Sequence, residues 1–365
     1  MTGLPLYDVA ADVHPNRAGP RGILPWLSVG NRTVSPESRA TLFGRRVRGV
    51  VGVPACPLTA NASWVSALAG AGFDVITTKT VRSDARPAHP FPQWLLGTAV
   101  PVEADAGADP ESGAGVVLDP AGSGPVSSAN SFGVPSPDPT VWRADLQRCR
   151  RVLAPGQVLI ASVMGSPELY SGNDLVTDFV RVARLAAETG VEAVELNLSC
   201  PNTLHSDGTG ANAPLCADPN AVSAVVGAVR LALPATVSIV AKLSTLPPTV
   251  LHDVVGRLAP HVQAIAGINA VQRRVFDDVG GPAFGPERER AGLSGAAIRE
   301  QGLDFVRAVF RRRAELGAHF DILGMGGILT VADVVAFRAA GADIVQSATG
   351  ACLDPQLAND SRRFR

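Results

Sequence analysis

The residues richest in chemical capacity fall in one short run, Glu195-Leu196-Asn197-Leu198-Ser199-Cys200-Pro201-Asn202-Thr203. An apolar strand signal, Ala193–Leu198, ends there and delivers two carboxamides, a hydroxyl and a thiol. Each carboxamide offers both a donor and an acceptor. Asn197 and Asn202 converging on one ligand can therefore read the alternating N–H and C=O edge of a heterocycle such as a pyrimidine. Cys200 is a candidate proton-transfer group or nucleophile, and an ordinary buried thiol is the competing reading.

Lysine usage marks a second pair of positions. Of the 32 basic residues only Lys79 and Lys242 are lysines, and the rest are arginines. Arg is a wide, permanently charged fork, whereas Lys is a compact ammonium that can sit under a planar ligand. A chain so biased toward Arg keeps Lys where Arg would not serve, unless both survived by chance. A third signal lies near the C-terminus, where Gly324-Met325-Gly326-Gly327-Ile328 and Ala348-Thr349-Gly350 each follow a strand signal. Backbone amides bared by glycine suit an anion such as a phosphate.

These positions need a scaffold that brings strand ends together. Strand signals recur near Val50–Pro54 and at Asp74–Thr78, Val158–Val163, Ala193–Leu198, Val237–Leu243, Ala264–Asn269, Asp321–Met325 and Asp343–Ser347. A short hairpin-like stretch from Thr41 precedes the first. Helical patterns alternate with the strands: Asn173–Thr189 has apolar residues at spacings of three and four, Asp218-Pro219 reads as a helix start, and Thr330 with Asp333 resembles a capping box closed by Gly341. Near-continuous apolar strands alternating with helices predict a parallel sheet covered by helices, here a single (β/α)8 barrel of the TIM type. Residues 1–40 read as an irregular N-terminal arm and 41–365 as the barrel. The Gly- and Pro-rich stretch 101–139 reads as a loop insertion without long strand or helix, placed on the C-terminal rim where it could cover a ligand.

Composition removes several classes. The 365 residues are 46% hydrophobic and 18% charged, which excludes disorder over most of the chain. A net charge of −1 with no basic stripe longer than Arg311-Arg312-Arg313 argues against nucleic acid or an anionic membrane as partner. No apolar run is long enough for a bilayer span, and Asp8, Asp12, His14 and Pro15 lie where a secretory core would stand, so a cytoplasmic protein is expected. The five cysteines are odd in number and form no C-x-x-C pair, so no disulfide framework and no metal site are expected.

The run E-L-N-L-S-C-P-N-T resembles the active-site motif of the flavin-dependent dihydroorotate dehydrogenases, specifically the cytosolic class with a cysteine base; the related dihydropyrimidine dehydrogenases share much of it. The resemblance extends over roughly residues 45–350, with separate segments matching in order. It implies FMN as cofactor and a small-molecule substrate that loses a proton at C5 to Cys200 while a hydride passes from C6 to flavin N5. It also implies that Lys79, in Thr78-Lys79-Thr80, reaches the flavin and substrate region, and that Lys242 hydrogen-bonds the flavin ring. Asn130-Ser131-Phe132-Gly133-Val134-Pro135 resembles the family segment that holds the substrate carboxylate. By the same resemblance Asn197, Asn202 and Asn269 bind substrate beside Ala270. Ala55, Cys56, Thr80, Asn130, Asn197, Ile268, Ser294, Gly295, Gly326, Gly327, Ala348 and Thr349 are then the remaining flavin contacts. Ser199 is the next candidate base after Cys200.

Four positions depart from the family pattern. Ala270 stands where Ser or Thr is usual, Pro57 replaces a Gly, Ser136 an Asn, and Ala348 a Gly. The expected activity is oxidation of dihydroorotate to orotate. The alternatives are a paralogue acting on another pyrimidine or a cyclic amide or enoyl intermediate, and a non-catalytic flavin-binding subunit. Fumarate, a quinone and a partner subunit are the candidate electron acceptors, and a homodimer is expected.

Overall fold

In a computed structural model, which describes residues 7–11, 40–102, 115–199 and 214–362, the apolar runs become eight short parallel strands. They are β1 (Val51–Val53), β2 (Val75–Thr77), β3 (Val158–Val163), β4 (Ala193–Asn197), β5 (Ser238–Lys242), β6 (Ala264–Gly267), β7 (Asp321–Met325) and β8 (Ile344–Gln346). Each pairs with the next, and β8 pairs with β1, so the sheet closes as a barrel in chain order. Helices α1 (Ala62–Gly70), α2 (Pro139–Val152), α3 (Gly172–Ala187), α4 (Pro219–Ala232), α5 (Pro248–Leu258), α6 (Arg299–Leu316) and α7 (Val331–Ala339) follow successive strands. This is the (β/α)8 barrel that the alternation predicts.

The local signals act as read. Asp218 accepts from the backbone N–H groups of Asn220 and Ala221 at the start of α4. Thr330 and Asp333 form a reciprocal capping box on α7, and Gly341, at φ 113°, follows its end. Such caps satisfy amides that a helix start leaves without partners.

The barrel interior is filled from below. The hairpin Thr41–Leu42/Arg45–Arg46 turns through Phe43 and Gly44, both with positive φ, as a two-residue hairpin turn requires. Its Leu42, with Val47, is fully buried against Ile160, Val240, Ala264 and Leu323 inside the barrel. Asp321 Oδ2 accepts from the Phe43 backbone N–H at 2.7 Å and ties the plug to β7.

The insertion corrects the sequence reading. Strands Trp94–Val102, Gly115–Asp119 and Val126–Asn130 lie after β2, and strands Val271–Phe276 and Arg290–Gly295 lie after β6. The five pair into a second closed sheet on the C-terminal side of the barrel, in which Asn130 lies opposite both Trp94 and Gly292. The residues expected to form a loop thus contain strands, because pairing partners distant in sequence supply the ladder that local composition does not advertise. Of the arm expected over residues 1–40, Tyr7 is buried against this sheet, its ring centroid 5.0 Å from Trp94 and 6.5 Å from Phe132.

Candidate active site

The C-terminal ends of the strands and the second sheet enclose a cavity with about 1120 Å³ of empty space, part of it open to solvent. Seven of the eight strand ends reach it: Ala55 and Cys56 after β1, Lys79 and Thr80 after β2, Asn197 on β4, Lys242 on β5, Ile268, Asn269 and Ala270 after β6, Gly326 and Gly327 after β7, and Ala348 and Thr349 after β8. Asn130, Phe132, Gly133, Val134, Ser294 and Gly295 arrive from the second sheet. Cys200 and Asn202 lie outside the described residues.

At one end the wall is backbone. Gly326 and Gly327 have φ of 109° and 84°, and a Cβ on Gly327 would stand 2.5 Å from Arg299 Cα. A side chain at Gly327 would collide with the start of α6, and both glycines line the cavity. Ser128 and Thr349 add a hydroxyl pair, their oxygens 3.0 Å apart.

The middle holds the cations. Lys242, 2% exposed, lies opposite Asn197 in the β4–β5 register, and its Nζ is 4.0 Å from Glu195 Oε1. Burial pushes the Glu195 carboxyl above its ordinary value, while Lys242 and the Ser162 hydroxyl draw it back. Cys56 is pushed up to about 11 by burial, against the opposing pull of Lys242 and Lys79. A thiol so placed is protonated and unreactive near neutral pH. Gln346 donates through Nε2 to Thr77 Oγ1 at 3.0 Å and to the Val53 carbonyl at 3.4 Å; its Oε1 has no partner among the described residues.

Carboxamides dominate the substrate end. Asn197 Nδ2 donates to Thr80 Oγ1 at 3.2 Å, and Asn197 Oδ1 accepts from Ser199 Oγ at 3.0 Å. Asn269 Nδ2 donates to Ser199 Oγ at 2.9 Å, and Asn130 Nδ2 to the Gly292 carbonyl at 3.2 Å. Ser199, expected as the next candidate base, hydrogen-bonds to both Asn197 and Asn269. It is fully buried behind the two asparagines, outside the cavity lining, with its proton committed to one and its lone pair to the other.

Gly133 lines the cavity beside Phe132 and Val134. Its φ is 73°, and a Cβ there would meet the His89 ring at 2.4 Å, so the close approach it permits is that of a histidine. Val134 beside it adopts φ 49°, unusual for a branched residue, and Arg82 Nε donates to its carbonyl at 3.1 Å. Arg82 is 2% exposed and ion-paired to Glu168. Ser136, where the family has Asn, accepts from the Arg82 backbone N–H at 3.0 Å.

Sequence reasoning missed Arg82, His89, Trp94, Ser128, Ser162 and Gln346. A polar Gln within the apolar run Asp343–Ser347 was a usable signal, since a side chain in a barrel interior must find polar partners. The others have none, because their partners come from distant segments.

A closed parallel barrel with a glycine-bared cradle at β7 and β8, two ammonium groups and converging carboxamides defines a barrel enzyme with its site at the C-terminal rim. The sequence profile described as Dihydroorotate dehydrogenase matches residues 120–360. The chain is 30% identical over 364 residues to a dihydroorotate dehydrogenase of Dictyostelium discoideum, covering 97% of this chain and 95% of the relative. It is 30% identical over 201 residues to the NAD-dependent dihydropyrimidine dehydrogenase subunit PreA of Escherichia coli K12, covering 54% of this chain and 45% of that one. A solved structure of the Eimeria tenella enzyme DHODH in complex with ferulenol superposes with a TM-score of 0.67 at 16% identity, over 93% of this chain and 86% of that chain, a likeness of fold. The chain belongs to the dihydroorotate dehydrogenase family of oxidoreductases. Among the described residues no helix is long and apolar enough to cross a membrane.

Proposed function

We propose that this chain is an FMN-dependent oxidoreductase acting on the C5–C6 bond of a dihydroorotate-like ring, with residues 41–365 as the FMN-binding unit and residues 1–40 as an arm laid on it. The observation that carries the reading is that the chain's only two lysines, Lys79 and Lys242, line one cavity together with Asn130, Asn197 and Asn269.

The residues present fit FMN. Peptide groups bared at Gly326 and Gly327, with the Thr349 hydroxyl, suit its phosphate. Gln346 Oε1 is a buried acceptor without a partner among the described residues, which suits a ring N–H. Lys242 suits the electron-rich edge of the isoalloxazine, where a cation favours the reduced ring. When bound, FMN would supply the two-electron acceptor for the ring oxidation.

This chain's own residues do the rest. Asn130, Asn197, Asn202 and Asn269 bind the ring edge, with Ala270 beside them. Peptide groups near Gly133 hold a carboxylate, and Phe132 and Val134 exclude water. Cys200 moves the C5 proton, a task for a group of tunable acidity held close to the carbon. The cavity takes a small-molecule substrate, and the electrons leave to fumarate, a quinone or a partner subunit.

A second reading, a less polar pyrimidine or cyclic amide, is favoured by Ala270, whose methyl lines the cavity where the family usually offers a hydroxyl. Purification tests the cofactor reading. The protein is expected to be yellow and to release FMN on denaturation; colourless, folded protein that takes up no added FMN would overturn it.

A further inference from the structure

Polarity in the buried network can be followed proton by proton. Ser162 on β3 lies opposite Glu195 on β4, both fully buried, and its hydroxyl donates to Glu195 Oε1 at 2.8 Å. A serine has one proton to give, so Ser162 Oγ can only accept from Thr80 Oγ1, 2.9 Å away. Thr80 has then given up its own proton and can only accept, which turns Asn197 Nδ2 toward it at 3.2 Å. The same orientation suits the Ser199 backbone N–H, which can only donate and lies 3.3 Å from Asn197 Oδ1, a long contact that does not hold the amide by itself.

The hydrogen-bonding capacity of Asn197 is then nearly used up. Oδ1 accepts from both the Ser199 backbone N–H and the Ser199 hydroxyl, and one N–H goes to Thr80. A carboxamide has two lone pairs and two protons, so only one N–H remains for a ligand. Asn269 differs: among the described residues it gives one proton to Ser199 and accepts once, from the Ala270 N–H at 2.9 Å, so it keeps both a donor and an acceptor.

We infer that the buried chain running from Glu195 through Ser162 and Thr80 fixes Asn197 as a donor to a ring carbonyl of the bound substrate, with Ser162 as the positioning residue. The inference rests on the reading of the cavity as a site for an orotate-like ring. The polarity does not require the carboxylate charge. Glu195 Oε2 has no partner among the described residues, so a proton there would leave Oε1 an acceptor. Lys242 faces that same Oε1, so a glutamine at this position would turn its carbonyl, not its amide nitrogen, to Ser162 and Lys242.

The test compares FMN-loaded wild type, Ser162→Ala and Glu195→Gln. Equilibrium dialysis measures binding of orotate and of two analogues carrying an amino group in place of one ring carbonyl oxygen each. Wild type is expected to reject one analogue by at least about a hundredfold, because that change sets donor against donor. Ser162→Ala keeps its FMN but loses at least about tenfold of this preference, whereas Glu195→Gln stays within about threefold of wild type. In parallel, selective asparagine ¹⁵N labelling follows side-chain exchange, with the Asn197 signal identified by its loss in Asn197→Asp. Exchange is expected to speed up by at least about tenfold in Ser162→Ala and not in Glu195→Gln. Ser162→Ala with wild-type preference and wild-type exchange overturns the inference. Wild type that binds neither FMN nor orotate overturns the proposed function instead, and the exchange measurement then decides the polarity alone.

Discussion

Lys242 Nζ and Glu195 Oε1 stand 4.0 Å apart on neighbouring barrel strands, with side chains 3% and 0% exposed. Removing one member of such a pair leaves the other charge buried without compensation, at a cost of up to about 3–5 kcal/mol. Lys242→Met is therefore expected to destabilise the protein at neutral pH. The sign of its pH dependence follows from the carboxyl. Burial raises Glu195 above its unfolded value, so between the unfolded and folded values the native state holds the extra proton. Stability from this group is present at low pH and lost as pH rises through the folded value. Without Lys242 that raised value moves higher, and the deficit shrinks on acidification. Urea unfolding at about pH 8 and about pH 5 checks this; a deficit that grows toward the lower pH contradicts it. The same variant is expected to weaken FMN binding and to make the bound flavin harder to reduce.

Two glycines separate a structural demand from a permissive position. Gly327→Ala forces φ 84° on a side chain whose Cβ meets Arg299 backbone at 2.5 Å, so FMN affinity is expected to fall by at least about tenfold. Gly227, within α4, has nothing within 4 Å of where an added methyl group would stand, and Gly227→Ala is expected to stabilise by about 0.5–1 kcal/mol with FMN affinity unchanged. Fluorescence titration with FMN and denaturant melts on both variants distinguish them. Equal effects at the two sites would remove the cradle from the account.

Thiol chemistry tests the proton-transfer assignment. Cys56, Cys149, Cys216 and Cys352 are buried, and burial pushes Cys56 and Cys216 each up to about 11. None should alkylate quickly near neutral pH. Cys200→Ala is expected to keep its flavin and to slow reduction by substrate by at least about a hundredfold. Rapid-mixing absorbance gives the rate, and an unchanged rate would move the proton-transfer role to another residue.

Ala270 addresses the substrate. Its Cβ lies 2.8 Å from the point a Gly292 methyl would occupy, so the absence of a side chain at 292 is what seats Ala270 there. Ala270→Ser is expected to raise turnover of dihydroorotate if the ring edge is polar, and to lower turnover of the true substrate if the pocket has been reshaped for a less polar ring. Fast wild-type oxidation of dihydroorotate, insensitive to the added hydroxyl, would make the departure neutral.

The barrel was legible because buried parallel strands are continuous apolar runs, and Val158–Val163 is buried at every position. The second sheet was not. Val126–Asn130 reads VSSAN and Arg290–Gly295 reads RAGLSG, without alternation, and the two pair across a long stretch of intervening chain. The site followed the same division. Lys79 and Lys242 stood out by rarity and Asn197 by its motif, whereas Ser162 and Arg82 have meaning only through partners folded against them from elsewhere.

Anaerobic mixing of the FMN-loaded protein with dihydroorotate, and with dihydrouracil in parallel, tests the central claim most directly. One of these dihydropyrimidines is expected to bleach the yellow flavin and to yield the corresponding unsaturated ring in equal amount. Flavin that stays oxidised with either ring at saturating concentration, in protein that still accepts electrons from dithionite, would contradict it.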